Sequence, residues 1–296
     1  MLNAETQTNS ESLSDEGALR VGIQGYEGAF HEIAARYCFQ DADVKVVPAL
    51  TFEHLVKMVE EKQKVDIGVM AIENTLGGSI MYNYHLLNDS ELQIIGEVYL
   101  RIKQNLMALP GQTIEDLKEV HSHPMAIAQC RKFFRAYPNI RLVEMEDTAL
   151  SAKLIREKEL KHIGAIASTL AAELYDMNIL AESIETNKKN HTRFLIVDRN
   201  DKDYQIAGPE KVSISFSVDH SVGSLYKVLA VLAAYNINLT KIQSTPIIGR
   251  PWEYRFFVDF IAAGKQTHEQ AIEAIKPITR ELNLLGAYKQ GKHYEY

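Results

Sequence analysis

Cysteine is nearly absent from this chain: Cys38 and Cys130 are the only two in 296 residues, and they lie far apart. Neither a disulfide framework nor a thiolate metal site can be built from them, and a reducing compartment, the cytoplasm, is expected. Basic residues are outnumbered, 32 against 39 acidic ones, and form no long cluster. With a formal charge of −7, nucleic acid and anionic membrane surfaces are disfavoured as partners. No apolar run is long enough to span a bilayer, so no membrane partner is expected. The opening "MLNAETQTNSESLSDEGALR" is polar and acidic, without the apolar core of a secretory signal. Several catalytic signatures are missing too. There is no HExxH, and the ten histidines show no ligand spacing with carboxylates or cysteines, so no metal is expected. The loop around Gly25 and Gly28 lacks the GxGxxG and GKS/GKT spacings of nucleotide sites. Ser122 sits in no GxSxG elbow, which removes a nucleophilic triad.

What is there describes an ordinary soluble globular protein, 46% hydrophobic and 24% charged, long enough for about two domains. Residues 1–17 form a polar tail. From residue 18 to residue 199 short apolar runs, among them "LRVGIQG", "DIGVMAIEN", "QIIGEVYL" and "RFLIVD", alternate with amphipathic segments such as "FEHLVKMVEEKQ" and "TALSAKLIREKEL". That alternation predicts an α/β architecture with largely parallel sheets. Residues 200–210 are polar, carry Gly208-Pro209 and read as a linker. Residues 211–296 change pattern to a βαββαβ order, with the second helix read as "HEQAIEAIKPITREL" and weakened by Pro277.

The informative residues stand where the apolar runs stop. "AIENTLGGSI" leaves a strand through Glu73 and Asn74 and reaches Ser79. "HSHPMAIAQC" puts Ser122 before a proline, and "EDTALSAK" offers Asp147 as a helix cap. "NHTRFLIVD" places Thr192 and Arg193 at the entrance of an otherwise apolar strand. In open α/β folds the carboxyl ends of strands face one crevice, and helix N-termini there favour anions. Taken together these junctions describe a polar pocket rich in uncharged donors, with Arg193 as a fixed cation, suited to a small carboxylate ligand.

The segments "GYEGAFHEIAA", "AIENTLGGSI", "HSHPMAIAQC", "DTALSAK", "GAIASTLAAELY" and "NHTRFL", in that order and spacing, resemble the prephenate dehydratase family. "INLTKIQSTP" with "WEYRFFVDF" resembles the ACT regulatory domain that follows the catalytic region there. The resemblance implies a catalytic region of two α/β subdomains similar to type II periplasmic binding proteins, with the active site between them. It implies catalytic roles for Thr192, Asn74, Ser122 and Gln129, and substrate binding by Arg193, Phe194, Glu73 and Ser79. Met125 stands where glutamine is usual. The implied reaction is the decarboxylative dehydration of prephenate to phenylpyruvate in phenylalanine biosynthesis, with no cofactor. Phenylalanine is the implied allosteric effector, held by Gly223, Ser224, Leu225, Asn238 and Leu239. Gln243 and Thr245 replace the acid and arginine of the usual "ESRP". A homodimer or homotetramer is expected from the same resemblance. Arogenate dehydratase, or a non-catalytic amino-acid sensor of the same fold, are the alternatives.

Overall fold

The computed structural model describes residues 17–40, 42–61, 64–199, 208–261 and 268–295; the polar tail through residue 16 and linker residues 200–207 lie outside the described residues. A first lobe is built from β1 (Leu19–Gln24), α1 (Phe30–Cys38), β2 (Val44–Ala49), α2 (Phe52–Glu61), β3 (Ile67–Asn74), β4 (Gly78–Ser79), α3 (Met81–Asn88) and β5 (Leu92–Arg101). The chain then crosses to a second lobe: β6 (Asn105–Ala108), β7 (Glu119–Ser122), α4 (Pro124–Phe134), β8 (Arg141–Glu144), α5 (Thr148–Glu157), β9 (Ile163–Ala167), α6 (Thr169–Leu174) and β10 (Asn178–Ala181). It returns through β11 (His191–Arg199) into the first sheet. The C-terminal domain follows as β12 (Lys211–Ser217), α7 (Ser224–Ala234), β13 (Asn238–Pro246), β14 (Tyr254–Ile261), α8 (His268–Ile275) and β15 (Arg280–Tyr288), and a short β16 (His293–Tyr294) ends the order.

The first sheet runs β16-β5-β11-β3-β1-β2 with β4 hairpinned onto β3, the second β10-β6-β9-β7-β8, and the third β13-β14-β12-β15. Strand β3, "IGVMAIEN", is buried along its first six residues, as a continuous apolar run in a covered central strand must be. Helices facing the cleft start where short side chains satisfy their free N–H groups. Asp147 accepts from the Leu150 amide at 2.9 Å, Ser168 from Ala171 at 2.9 Å, and the His123 ring from Met125 at 3.2 Å just ahead of Pro124.

Two expectations need correction. The sheets are mixed rather than largely parallel: β11 runs antiparallel to both β3 and β5, and β6 antiparallel to β9 and β10. The chain crosses between lobes twice, and the strands that make those crossings enter their sheets against the local direction. The last helix ends at Ile275, because Pro277 turns a short 3-10 segment, and "RELNLLGAY" is all strand.

The C-terminal domain shares a core with the first lobe. Phe257, Leu285 and Tyr288 pack with Tyr84, Leu87, Leu92 and Ile94, all buried. Burying a side chain such as Phe257 is worth about 1.5–3 kcal/mol. The backbones press together at Gly286, where a Cβ would lie 2.2 Å from the Ile94 carbonyl oxygen. Beyond β15 the chain adds β16 to the edge of the first sheet, parallel to β5, with Tyr294 stacked on Tyr37.

Candidate active site

Between the two lobes lies a cleft of about 360 Å³. The ends of β3 and β11 and the first turn of α1 form one wall; the N-termini of α4 and α5 form the other. Thr192 and Asn74 are direct partners across β11 and β3. The Asn74 amide nitrogen donates to Thr192 Oγ1 at 2.9 Å and to Asn190 Oδ1 at 2.8 Å, while its carbonyl accepts from the Leu76 and Gly77 amides at 2.9 and 2.8 Å. Asn190 in turn donates to Gln129 Oε1 at 3.0 Å. A chain of side-chain amides therefore runs from α4 of the second lobe to the hydroxyl on β11 of the first. Thr192 Oγ1 accepts from Asn74, and among the described residues no acceptor takes its own hydrogen, which is left for whatever enters the cleft.

Phe194 forms an apolar wall beside Thr192, and His31 meets it edge-on with ring centroids 5.0 Å apart. Burial lowers the His31 pKa to about 4, and its Nε2 accepts from the Ala71 amide at 3.3 Å. The imidazole is therefore neutral and carries its proton on Nδ1. Desolvation raises the Asp147 carboxyl from its ordinary value, against the opposing effect of the α5 amides it caps. Gln104 also lines the cleft; it is buried, and its Oε1 has no partner among the described residues. No lysine or arginine appears among the described residues lining the cleft, whereas Glu146 and Asp147 do.

Of the residues singled out from sequence, Thr192, Asn74, Gln129 and Phe194 come together here. Four others do not. Ser122 is fully buried, does not line the cleft, and donates to the Ile166 carbonyl at 2.7 Å, tying β7 to β9. Arg193, expected to anchor the ligand, points the other way, because successive side chains on a strand alternate faces. Its Nε donates to Glu97 at 2.7 Å, Nη1 to Asp259, and Nη2 to the Tyr288 hydroxyl at 2.9 Å. Glu73 and Ser79 follow the same alternation, and both bind Lys241 Nζ of the C-terminal domain, at 2.9 and 2.7 Å.

Sequence reading missed His31, Gln104, Asn190 and Glu146. His31 was legible only as the second residue of a helix that follows a glycine turn. Gln104 and Glu146 belong to no recurring pattern.

In the C-terminal domain Ser224 and Leu225 line a hollow of about 140 Å³ with Trp252 and Tyr254. Gly223 caps α7 with φ +80°, a left-handed conformation that suits glycine. Asn238 and Leu239 begin the edge strand β13 and do not line that hollow. The described residues hold no group of three or more metal-ligating side chains, and no described helix is long and apolar enough to cross a membrane.

Comparison with known proteins matches residues 21–202 to the family model "Prephenate dehydratase" and residues 212–276 to "ACT domain". Arogenate dehydratase 2 of Petunia hybrida is 39% identical over 96% of this chain and 75% of its own length. A bifunctional chorismate mutase/prephenate dehydratase of Aquifex aeolicus is 35% identical over 94% of the chain and 76% of its own. Among solved structures, a prephenate dehydratase from Arthrobacter aurescens in complex with L-Phe superposes with a TM-score of 0.82 at 27% identity. That match covers 92% of this chain and 90% of the other.

Proposed function

The chain belongs to the prephenate dehydratase family, and from that premise we propose that this lyase acts on prephenate in phenylalanine biosynthesis, with Thr192 as donor to the departing hydroxyl. In the reaction the bond between the ring and its carboxylate breaks, and its electron pair enters the ring. The bond to the C4 hydroxyl breaks as the ring becomes aromatic; carbon dioxide leaves, and the departing oxygen takes up a proton and leaves as water. The observation that carries the reading is the Asn74 amide donating to Thr192 Oγ1, which orients a hydroxyl whose hydrogen has no acceptor among the described residues and is available to the substrate. Threonine is too weak an acid to ionise at neutral pH, so its part is a hydrogen bond that strengthens as negative charge builds on the departing oxygen.

The scarcity of cations along the cleft fits the same chemistry. A carboxylate that must leave as neutral carbon dioxide is best left without a strong ionic partner, since such a partner would favour the ground state. The helix N-termini of α4 and α5 and the Gln129 side-chain amide supply weaker, fixed donors for the side-chain carboxylate. A second reading, arogenate as substrate, is favoured by Glu146 and Asp147 in the cleft wall, carboxylates that would receive an ammonium group. Parallel kinetics on prephenate and arogenate with purified protein test the choice. Prephenate preference, little altered in Glu146→Gln, supports the first reading. Arogenate preference that collapses in Glu146→Gln supports the second, and turnover of neither would favour an amino-acid sensor.

Phenylalanine is the proposed effector at the ACT domain. Ser224 and Leu225 lie in one chain's hollow while Asn238 and Leu239 lie on an open sheet edge, an arrangement in which a second copy would complete the site. Val222, Tyr226, Ile242 and Trp252 are exposed apolar side chains of that domain, consistent with a homodimer or homotetramer. A cytoplasmic location belongs to the same proposal.

A further inference from the structure

Directly behind the Thr192–Asn74 pair, on the reverse face of the same two strands, stands the cross-strand pair Arg193–Glu73. Facing it from the C-terminal sheet is another cross-strand pair, Lys241 on β13 and Asp259 on β14. Each charge meets its opposite across the domain boundary: Arg193 with Asp259, Lys241 with Glu73. Arg193 and Asp259 are 5% and 2% exposed, and Lys241 is nearly as well covered. The boundary is held tightly, since Lys211 of β12 also donates to both Glu97 oxygens, at 3.0 and 2.9 Å.

We infer that this two-by-two charge arrangement makes Arg193 a positioning residue, fixing the Thr192–Asn74 hydrogen bond from behind and transmitting the state of the ACT sheet to it. The geometry leaves little slack. Thr192 and Arg193 are consecutive on one buried strand, as are Glu73 and Asn74, so a displacement of either reverse-face side chain moves the backbone of its cleft-side neighbour. Hydrogen bonds weaken steeply with angle, and sub-ångström misplacement of a catalytic donor is enough to slow a reaction. Strand β13 is the sheet edge that begins with Asn238 and Leu239, so a ligand bound there acts on Lys241 three and two residues away in the same strand. The path is contiguous from effector edge to catalytic hydroxyl. It makes no use of Arg193 as a substrate ligand.

This inference rests on the role proposed for Thr192, and its test separates the two. Steady-state kinetics on the full chain, well below the unfolding temperature, are compared for wild type, Asp259→Asn, Thr192→Val and the double variant. Asp259→Asn is expected to lower kcat about 5- to 50-fold with KM changed less than about twofold. In the Thr192→Val background the same change should have almost no further effect, because the group it positions is gone. Lys241→Met should lower kcat about 3- to 10-fold and Lys241→Arg should restore it. Phenylalanine binding by calorimetry should survive in Lys241→Met while inhibition weakens. Losses that multiply in the double variant, or unchanged kcat in both Asp259→Asn and Lys241→Met, overturn the inference. Near wild-type turnover in Thr192→Val alone would overturn the hydroxyl's role, and this inference with it.

Discussion

Replacing Arg193 by leucine separates a residue that binds substrate from one that holds the domains together. In the structure the guanidinium is 5% exposed and donates to Glu97, Asp259 and Tyr288. The nearby carboxylates and Tyr288, outweighing desolvation, keep its pKa well above the usual arginine value, so it is charged at every accessible pH. After the substitution Glu97 retains Lys211 and the Gly291 amide, but among the described residues the Asp259 carboxylate is left with only the Ser213 hydroxyl. A buried charge stripped of its partner costs about 3–5 kcal/mol. At a urea slope near 3 kcal/mol/M, the unfolding midpoint should fall by roughly 1–1.7 M. Urea titrations followed by circular dichroism, on wild type, Arg193→Leu and Arg193→Leu/Asp259→Leu, measure this directly. The double variant should recover part of the loss, because removing both ends leaves no unpaired carboxylate. An Arg193→Leu protein with an unchanged midpoint and a Michaelis constant raised tenfold or more would refute the reasoning and return the guanidinium to the cleft.

Other expectations follow from the same geometry. His31 titrates near 4 in the fold against 6.5 for the free side chain, so its contribution to stability is intact above about 6.5 and lost as pH falls toward 4. The wild type should lose up to about 3 kcal/mol more than His31→Gln across that window, measured by urea unfolding at pH 7 and pH 4.5; parallel losses would contradict a buried neutral imidazole. Gly286→Ala should destabilise by about 1–3 kcal/mol and loosen the contact of β15 with β5, since its new Cβ would lie 2.2 Å from the Ile94 carbonyl oxygen. Hydrogen exchange that leaves both strands as protected as in wild type would show that the backbone accommodates it.

The α/β lobes and the βαββαβ domain were legible because apolar runs and amphipathic periods report burial directly. Asn74, Gln129, Thr192 and Phe194 were legible as polar or aromatic residues at element ends, where a cleft collects them. Arg193 shows where such reading stops. A charged residue beside a hydroxyl that lines the cleft looks like a ligand in one dimension, yet adjacent strand residues face opposite ways, and only the second domain packed behind the sheet reveals its partners. Ser122 was legible as a serine ahead of a helix start, but not that its hydroxyl donates to the Ile166 carbonyl of the neighbouring strand. His31 and Gln104 were illegible because nothing local distinguishes a buried polar side chain that faces a cleft from one that is satisfied in a core. The mixed sheet arose from strands that cross between lobes, a long-range event with no local signal.

The central claim is that the Thr192 hydroxyl, held by Asn74, donates to the departing oxygen. Steady-state turnover of Thr192→Val, nearly the same size without the hydroxyl, tests it most directly, with Thr192→Ser as the variant that keeps the donor. The account predicts a kcat reduced about 10²–10⁴-fold in the valine variant, a Michaelis constant within about threefold of wild type, and substantial activity in the serine variant. A valine variant turning over at close to the wild-type rate would contradict it.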